Sequence, residues 1–133
     1  MTWLQPAVLA ARQLGDEEAE GVHLGNLGLV YADKGEWERA IEMYERSLEI
    51  EERVGDVHGM AQTWGNLGLL YESQGDRERA AKYLAQAYLV FDRLGAAPDA
   101  REASSILVRV TGSGEAANAY LANLTKGQAR SSF

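Results

Sequence analysis

The groups in this chain that could move a proton, hold a metal or grip a ligand are two histidines, twenty acidic side chains and a repeated asparagine. His23 and His58 stand thirty-five residues apart, with no HExxH or paired-ligand spacing around them, so zinc is not expected. Each reads as an ordinary helix-surface or partly packed residue. Cysteine is absent, which excludes thiolate metal sites and disulfides. Glu17 with Glu18 and Glu51 with Glu52 are sequence neighbours on faces that read as solvated, not an acid and a base facing across a cleft. No catalytic residue, metal or cofactor is expected. The asparagines stand out because they repeat: residues 25–31 read GNLGLVY and residues 65–71 read GNLGLLY, placing Asn26 and Asn66 forty positions apart. A primary amide both donates and accepts hydrogen bonds. GNLG is not a phosphate loop, since no strand precedes it and its glycines fall in the middle of a helical pattern.

Those asparagines are carried by a regular frame. Gly15, Gly35, Gly55, Gly75 and Gly95 lie twenty residues apart, each closing a stretch of helical periodicity. Asp16, Glu36, Asp56 and Asp76 follow, and an aspartate there can cap the first turn of the next helix. Apolar residues recur in steps of three and four at Leu24, Leu27, Val30 and Tyr31, and again at Trp37, Ala40, Ile41, Tyr44, Leu48 and Val54. The second helix carries Glu38, Glu42, Glu45, Arg46, Glu49 and Arg53 on its other face, with Glu42–Arg46 and Glu49–Arg53 spaced for helical ion pairs. Trp3, Trp37 and Trp64 fall at helical core positions, where packing explains them. The spacing predicts an all-α chain of about seven helices, roughly 3–14, 17–34, 37–54, 57–74, 77–94, 98–111 and 114–127.

Composition narrows the class further. A chain of 133 residues, 46% hydrophobic and 25% charged, suits one soluble globular domain. A formal charge of -7 opposes a nucleic-acid partner and favours a neutral to basic one. No apolar run approaches the length of a membrane span. The N-terminus meets the acidic DEEAE with no basic n-region before it, so it does not read as a signal peptide and a cytoplasmic location is expected.

Two helices make a unit of forty residues. Aligning 21–60 with 61–100 pairs Leu24 with Trp64, Asn26 with Asn66, Leu27 with Leu67, Gly28 with Gly68, Tyr31 with Tyr71, Gly35 with Gly75 and Ala40 with Ala80. This pattern, carried by Leu24, Leu27, Gly28, Tyr31, Gly35, Ala40 and Tyr44 and then by Trp64, Leu67, Gly68, Tyr71, Gly75, Ala80 and Leu84, resembles the tetratricopeptide repeat. The forty-residue period and GNLG resemble the long-helix branch found in kinesin light chains, Pins-type adaptors and bacterial signalling proteins. Residues 1–14 then match the second helix of a partial repeat, 17–54 and 57–94 two full repeats, 98–127 a degenerate third repeat or cap, and 128–133 a tail.

The resemblance implies antiparallel helix pairs stacked as a right-handed solenoid, with the first helix of each pair lining a concave groove that binds a peptide or protein. It places Gly28 and Gly68 where the helices of a pair cross closely, and Gly25 and Gly65 on the groove floor. It implies that Asn26 and Asn66 hold the main chain of an extended peptide. Further groove positions are Val22, Leu29 and Asp33, then Gln62, Leu69 and Ser73, then Glu102, Ser105 and Arg109. An apolar floor with acids at Asp33, Glu72 and Glu102 suits a neutral to basic ligand. The clamp with which some tetratricopeptide domains grip acidic chaperone tails needs two lysines, an arginine and two asparagines. The corresponding residues here are Gly25, Leu29, Asn66, Glu102 and Ile106, of which only Asn66 fits, so an acidic chaperone tail is not the expected ligand.

The ends carry an alternative. Trp3, Leu4, Val8, Leu9 and Leu14 belong to a helix without its own partner helix, and EAANAYLANL at 115–124 is alanine-rich and nearly uncharged. Repeat arrays bury apolar faces only against neighbours. The chain is therefore expected either to self-associate as a homo-oligomer through these ends or to continue a longer array.

Overall fold

The twenty-residue spacing of glycines sets the helix boundaries. Gly35, Gly55, Gly75 and Gly95 take φ of 77, 78, 81 and 72°. After each, the next amide donates to a carbonyl five residues back: Glu36 to Tyr31 at 2.9 Å, Asp56 to Glu51 at 2.8 Å, Asp76 to Tyr71 at 2.9 Å and Ala96 to Phe91 at 2.9 Å. These are left-handed C-terminal closures, which a Cβ would strain. Asp16, Asp56 and Asp76 then cap the following helices, accepting from the amides of Ala19 (3.0 Å), Gly59 (2.9 Å) and Arg79 (3.1 Å). Glu36 makes no such bond.

The computed structural model describes Pro6, Val8, Leu9 and residues 16–131, with side chains through residue 126. Among the residues described from 16 onward six helices follow one another: α1 (Glu17–Asp33), α2 (Trp37–Val54), α3 (Val57–Ser73), α4 (Arg77–Arg93), α5 (Ala97–Thr111) and α6 (Gly114–Ser131). No strand occurs among the described residues. Pro6, Val8 and Leu9 are helical; the rest of the helix expected at 3–14, including Trp3, Leu4 and Leu14, lies outside the described residues, as does Gly15. The last helix runs past the expected 127 to Ser131, through part of what the sequence suggested was a tail.

Each helix packs on the next, and α1 also touches α3 as α3 touches α5. This is the antiparallel helix-pair solenoid that the periodicity and the repeat imply. Leu24, Leu67, Leu84 and Leu107 are fully buried, with Tyr44 beside them in one apolar core that reaches Val8 and Ala117. Gly28 and Gly68 are the pair where helices cross. A Cβ on Gly28 would stand 2.7 Å from Cε1 of Tyr44, and one on Gly68 would stand 2.6 Å from Cγ of Leu84 and 3.3 Å from the Ala80 carbonyl. The close packing offsets about 1 kcal/mol of lost helix propensity at each.

Three local expectations are corrected. Arg53 does not pair with Glu49: its Nε reaches Glu17 Oε1 of α1 at 3.0 Å, joining two helices rather than two turns of one. Arg46 lies against Met43 Sδ at 4.0 Å instead of Glu42. Trp37, expected in the core, is 38% exposed, because it opens α2 directly after the turn.

Candidate functional site

The helices α1, α3 and α5 line a cleft of about 400 Å³, with α2 and α4 contributing from behind. Nine of the expected groove residues lie in it together: Val22, Gly25, Asn26 and Leu29 from α1, Gln62, Gly65, Asn66 and Leu69 from α3, and Glu102 from α5. The helical register explains this, since residues three and four apart share a face and the first helix of each pair turns the same face inward. Leu29 and Leu69 are 44% and 37% exposed, and Val22 is 58% exposed, giving the cleft an open apolar floor. Gly25 meets only Ser47 Oγ, at 3.7 Å from where its Cβ would be, and Gly65 meets nothing within 4 Å. These two glycines are therefore not required by packing, unlike Gly28 and Gly68.

Asp33, Ser73, Ser105 and Arg109 do not line the cleft. Asp33 and Ser73 are the final residues of α1 and α3, beyond its end. Ser73 Oγ turns back to the Leu69 carbonyl at 3.1 Å. Asp33 adds a second, electrostatic push to Tyr44, whose phenol burial raises to about 12. Arg109 is committed to Glu72: Nε to Oε2 at 2.7 Å and Nη2 to Oε1 at 2.6 Å, a bidentate bridge from α5 to α3. That bridge holds the Glu72 carboxyl below the usual carboxylate range.

The cleft also contains a group that the charge pattern misplaced. Glu51, expected on a solvated face, is only 9% exposed. Its Oε1 accepts from Thr63 Oγ1 at 2.7 Å, while the single proton of Ser47 Oγ goes chiefly to the Gly21 carbonyl at 2.8 Å and only weakly to Glu51 Oε1 at 3.4 Å. Burial pushes the Glu51 carboxyl above its ordinary value; the Thr63 bond lowers it, the Asp56 charge raises it and the Ser47 bond lowers it. Hydrogen bonds to a charged group contribute about 1.5–3 kcal/mol each, against a burial cost of several kcal/mol. Beside it stands Asp56, the cap of α3. Both Glu51 Oε2 and Asp56 Oδ2 crowd the place where a Gly59 Cβ would stand, so the glycine is what lets the two carboxylates converge. Asp99 and Glu102 complete four acids in the lining, and no lysine, arginine or histidine lines the cleft among the described residues.

Forty residues on, the same places are filled differently. Ser47, Glu51 and Thr63 correspond to Ala87, Phe91 and Ala103, all buried, in an apolar cluster with Ala61 and Ala100. His58 sits at the edge of this cluster, its ring 5.6 Å from Phe91 and its Nε2 3.3 Å from Asp99 Oδ2. His23 keeps a buried Nδ1 without a hydrogen-bond partner. No group of three or more metal-ligating side chains forms among the described residues.

A family model described as tetratricopeptide repeat matches residues 18–92. A crystal structure of BtubC (BKLC) from P. vanneervenii is similar in fold, with a TM-score of 0.75 at 22% identity over 97% of this chain. The chain spans 55% of that protein's resolved length. No curated protein matches the sequence.

Proposed function

The chain belongs to the tetratricopeptide repeat family, and from that premise we propose that its cleft binds an extended segment of a partner protein. Repeats of this family are protein-interaction scaffolds without chemistry of their own. The observation that supports a groove-binding role here is the convergence of Asn26, Asn66, Leu29 and Leu69 on one cleft over glycines that packing does not need. Each asparagine can donate to and accept from one peptide unit, holding a strand by its main chain while Leu29 and Leu69 receive apolar side chains. The acids in the lining favour a neutral to basic segment. Catalysis plays no part in this reading, and a cytoplasmic site of action accompanies it; no helix among the described residues is long and apolar enough to cross a membrane.

The test is the double substitution Asn26→Ala with Asn66→Ala. With the fold intact by circular dichroism, affinity for a partner recovered by pull-down should fall at least about tenfold, a loss of roughly 1.4 kcal/mol. Unchanged affinity would sink the groove reading. Sedimentation over a range of concentrations tests the alternative, in which the domain self-associates through its ends: a strict monomer at high concentration would count against it.

A further inference from the structure

Resting on the groove reading, we infer that Glu51 and Asp56 form a cation pocket that takes one lysine or arginine side chain of the bound segment. Each carboxylate has one oxygen fixed by the protein and one left over. Glu51 Oε1 is held by Thr63 at 2.7 Å, and Asp56 Oδ1 is held by the Gly59 amide at 2.9 Å. The remaining oxygens, Glu51 Oε2 and Asp56 Oδ2, both turn toward the space above Gly59, Oε2 lying 2.5 Å from the position a Cβ would occupy. Two acceptors oriented in advance onto one point form a receptor for a multidentate donor, and a guanidinium or ammonium is the side-chain group that supplies several donors with positive charge.

Packing does not account for this arrangement. The equivalent of Glu51 in the next repeat is Phe91, buried at 5% exposure among alanines, and the equivalent of Asp56 is Ala96. A hydrophobic side chain therefore fills the slot in the same chain, with no carboxylate needed by the helix pair. The Glu51 oxygen left over is not sealed away from the cleft, so a donor arriving from outside can reach it. Among the described residues no counter-ion is supplied: no basic side chain lines the cleft, Arg53 is paired with Glu17, Arg109 with Glu72 and His58 with Asp99. The occupant is a side chain of a peptide because the carboxylates open onto the same cleft as Asn26, Asn66, Leu29 and Leu69, which take the main chain and flanking apolar groups. The aliphatic stem of a lysine or arginine can lie along such a floor with its charge at the carboxylates.

The probe is a short synthetic peptide of alternating leucine and serine with one central arginine, compared with the same peptide carrying citrulline, which keeps the shape and loses the charge. Binding is read by fluorescence anisotropy to the native domain, to Glu51→Gln with Asp56→Asn, and to Asn26→Ala with Asn66→Ala. Glutamine still accepts from Thr63 and asparagine still caps α3, so the first pair of changes should leave the fold in place. The arginine peptide should bind the native domain at least about tenfold more tightly than the citrulline peptide, and E51Q/D56N should erase that preference without weakening the citrulline peptide. Equal binding of the two peptides, or a preference that survives E51Q/D56N, overturns the pocket while leaving the groove standing if the asparagine variant still weakens both. A charge preference lost in E51Q/D56N but untouched in the asparagine variant supports the pocket and overturns the main-chain grip. No binding of either peptide overturns both.

Discussion

The two places where one helix pair meets the next have the same backbone and opposite chemistry. At the first, Ser47, Glu51 and Thr63 make a bonded polar set; at the second, forty residues later, Ala87, Phe91 and Ala103 pack as an apolar one. Since both close the same kind of turn, with the carbonyls of Glu51 and Phe91 each receiving the amide five residues on, the repeat geometry does not choose between them. The apolar junction is what stacking alone requires. The polar one exceeds it, and the difference marks where specificity can reside.

The most damaging way to break this contrast is to put the first junction's acid into the second. Phe91→Glu would bury a carboxylate among Ala61, Ala87, Ala100 and Ala103 with no threonine or serine to meet it, and should cost at least about 3 kcal/mol in urea unfolding. A loss below about 1 kcal/mol would make the junctions interchangeable and remove the contrast. The crossing glycines should behave alike because the repeats agree there: Gly28→Ala against the Tyr44 ring and Gly68→Ala against Leu84 should each lose about 1–3 kcal/mol. Thr63→Ala strips Glu51 of its shortest hydrogen bond and should also cost about 1–3 kcal/mol, whereas the same threonine-sized change has no counterpart at Ala103. Gly65→Ala should go the other way, gaining up to about 1 kcal/mol, since nothing lies within 4 Å of the new methyl.

The smallest effects are in the pH dependence, and they have opposite signs at two carboxylates. Glu51 is raised by burial, so folding favours its protonated form. That contribution is full below the ordinary carboxylate range and is lost as pH rises through the raised value. Glu72 is lowered by Arg109, so its contribution is present above the ordinary range and is lost as pH falls through the lowered value. Denaturant titrations across mild acid should therefore show Glu51→Gln removing a part of stability that declines toward neutrality, and Glu72→Gln removing a part that grows toward it. The same slope in both variants would contradict the difference in environment.

Much of this is legible in the sequence alone. The boundaries of the six described helices follow from glycines at a fixed interval and from steps of three and four, because a left-handed glycine closes each turn between them. The cleft was legible through the repeat, since helices stacked in register turn equivalent positions, such as Asn26 and Asn66, to one side. Asp33 and Ser73 were misassigned because equivalence along a helix says nothing about where the cleft stops. Arg109 was misassigned because its partner, Glu72, lies on another helix thirty-seven residues away. Glu51 was hidden in the acidic run EIEERV, where charge masks position. The signal for it was the alignment itself, which sets Glu51 opposite Phe91 and thereby in a slot that the next repeat fills with a ring.

The bonded set at the first junction draws on three helices: Gly21 on α1, Ser47 and Glu51 on α2, and Thr63 on α3. It exists only while two repeats are docked. A tension applied along the array would part the repeats at such seams, and the hydroxyl, the carboxylate and whatever they hold would separate together. Anything seated there would stiffen the seam in return.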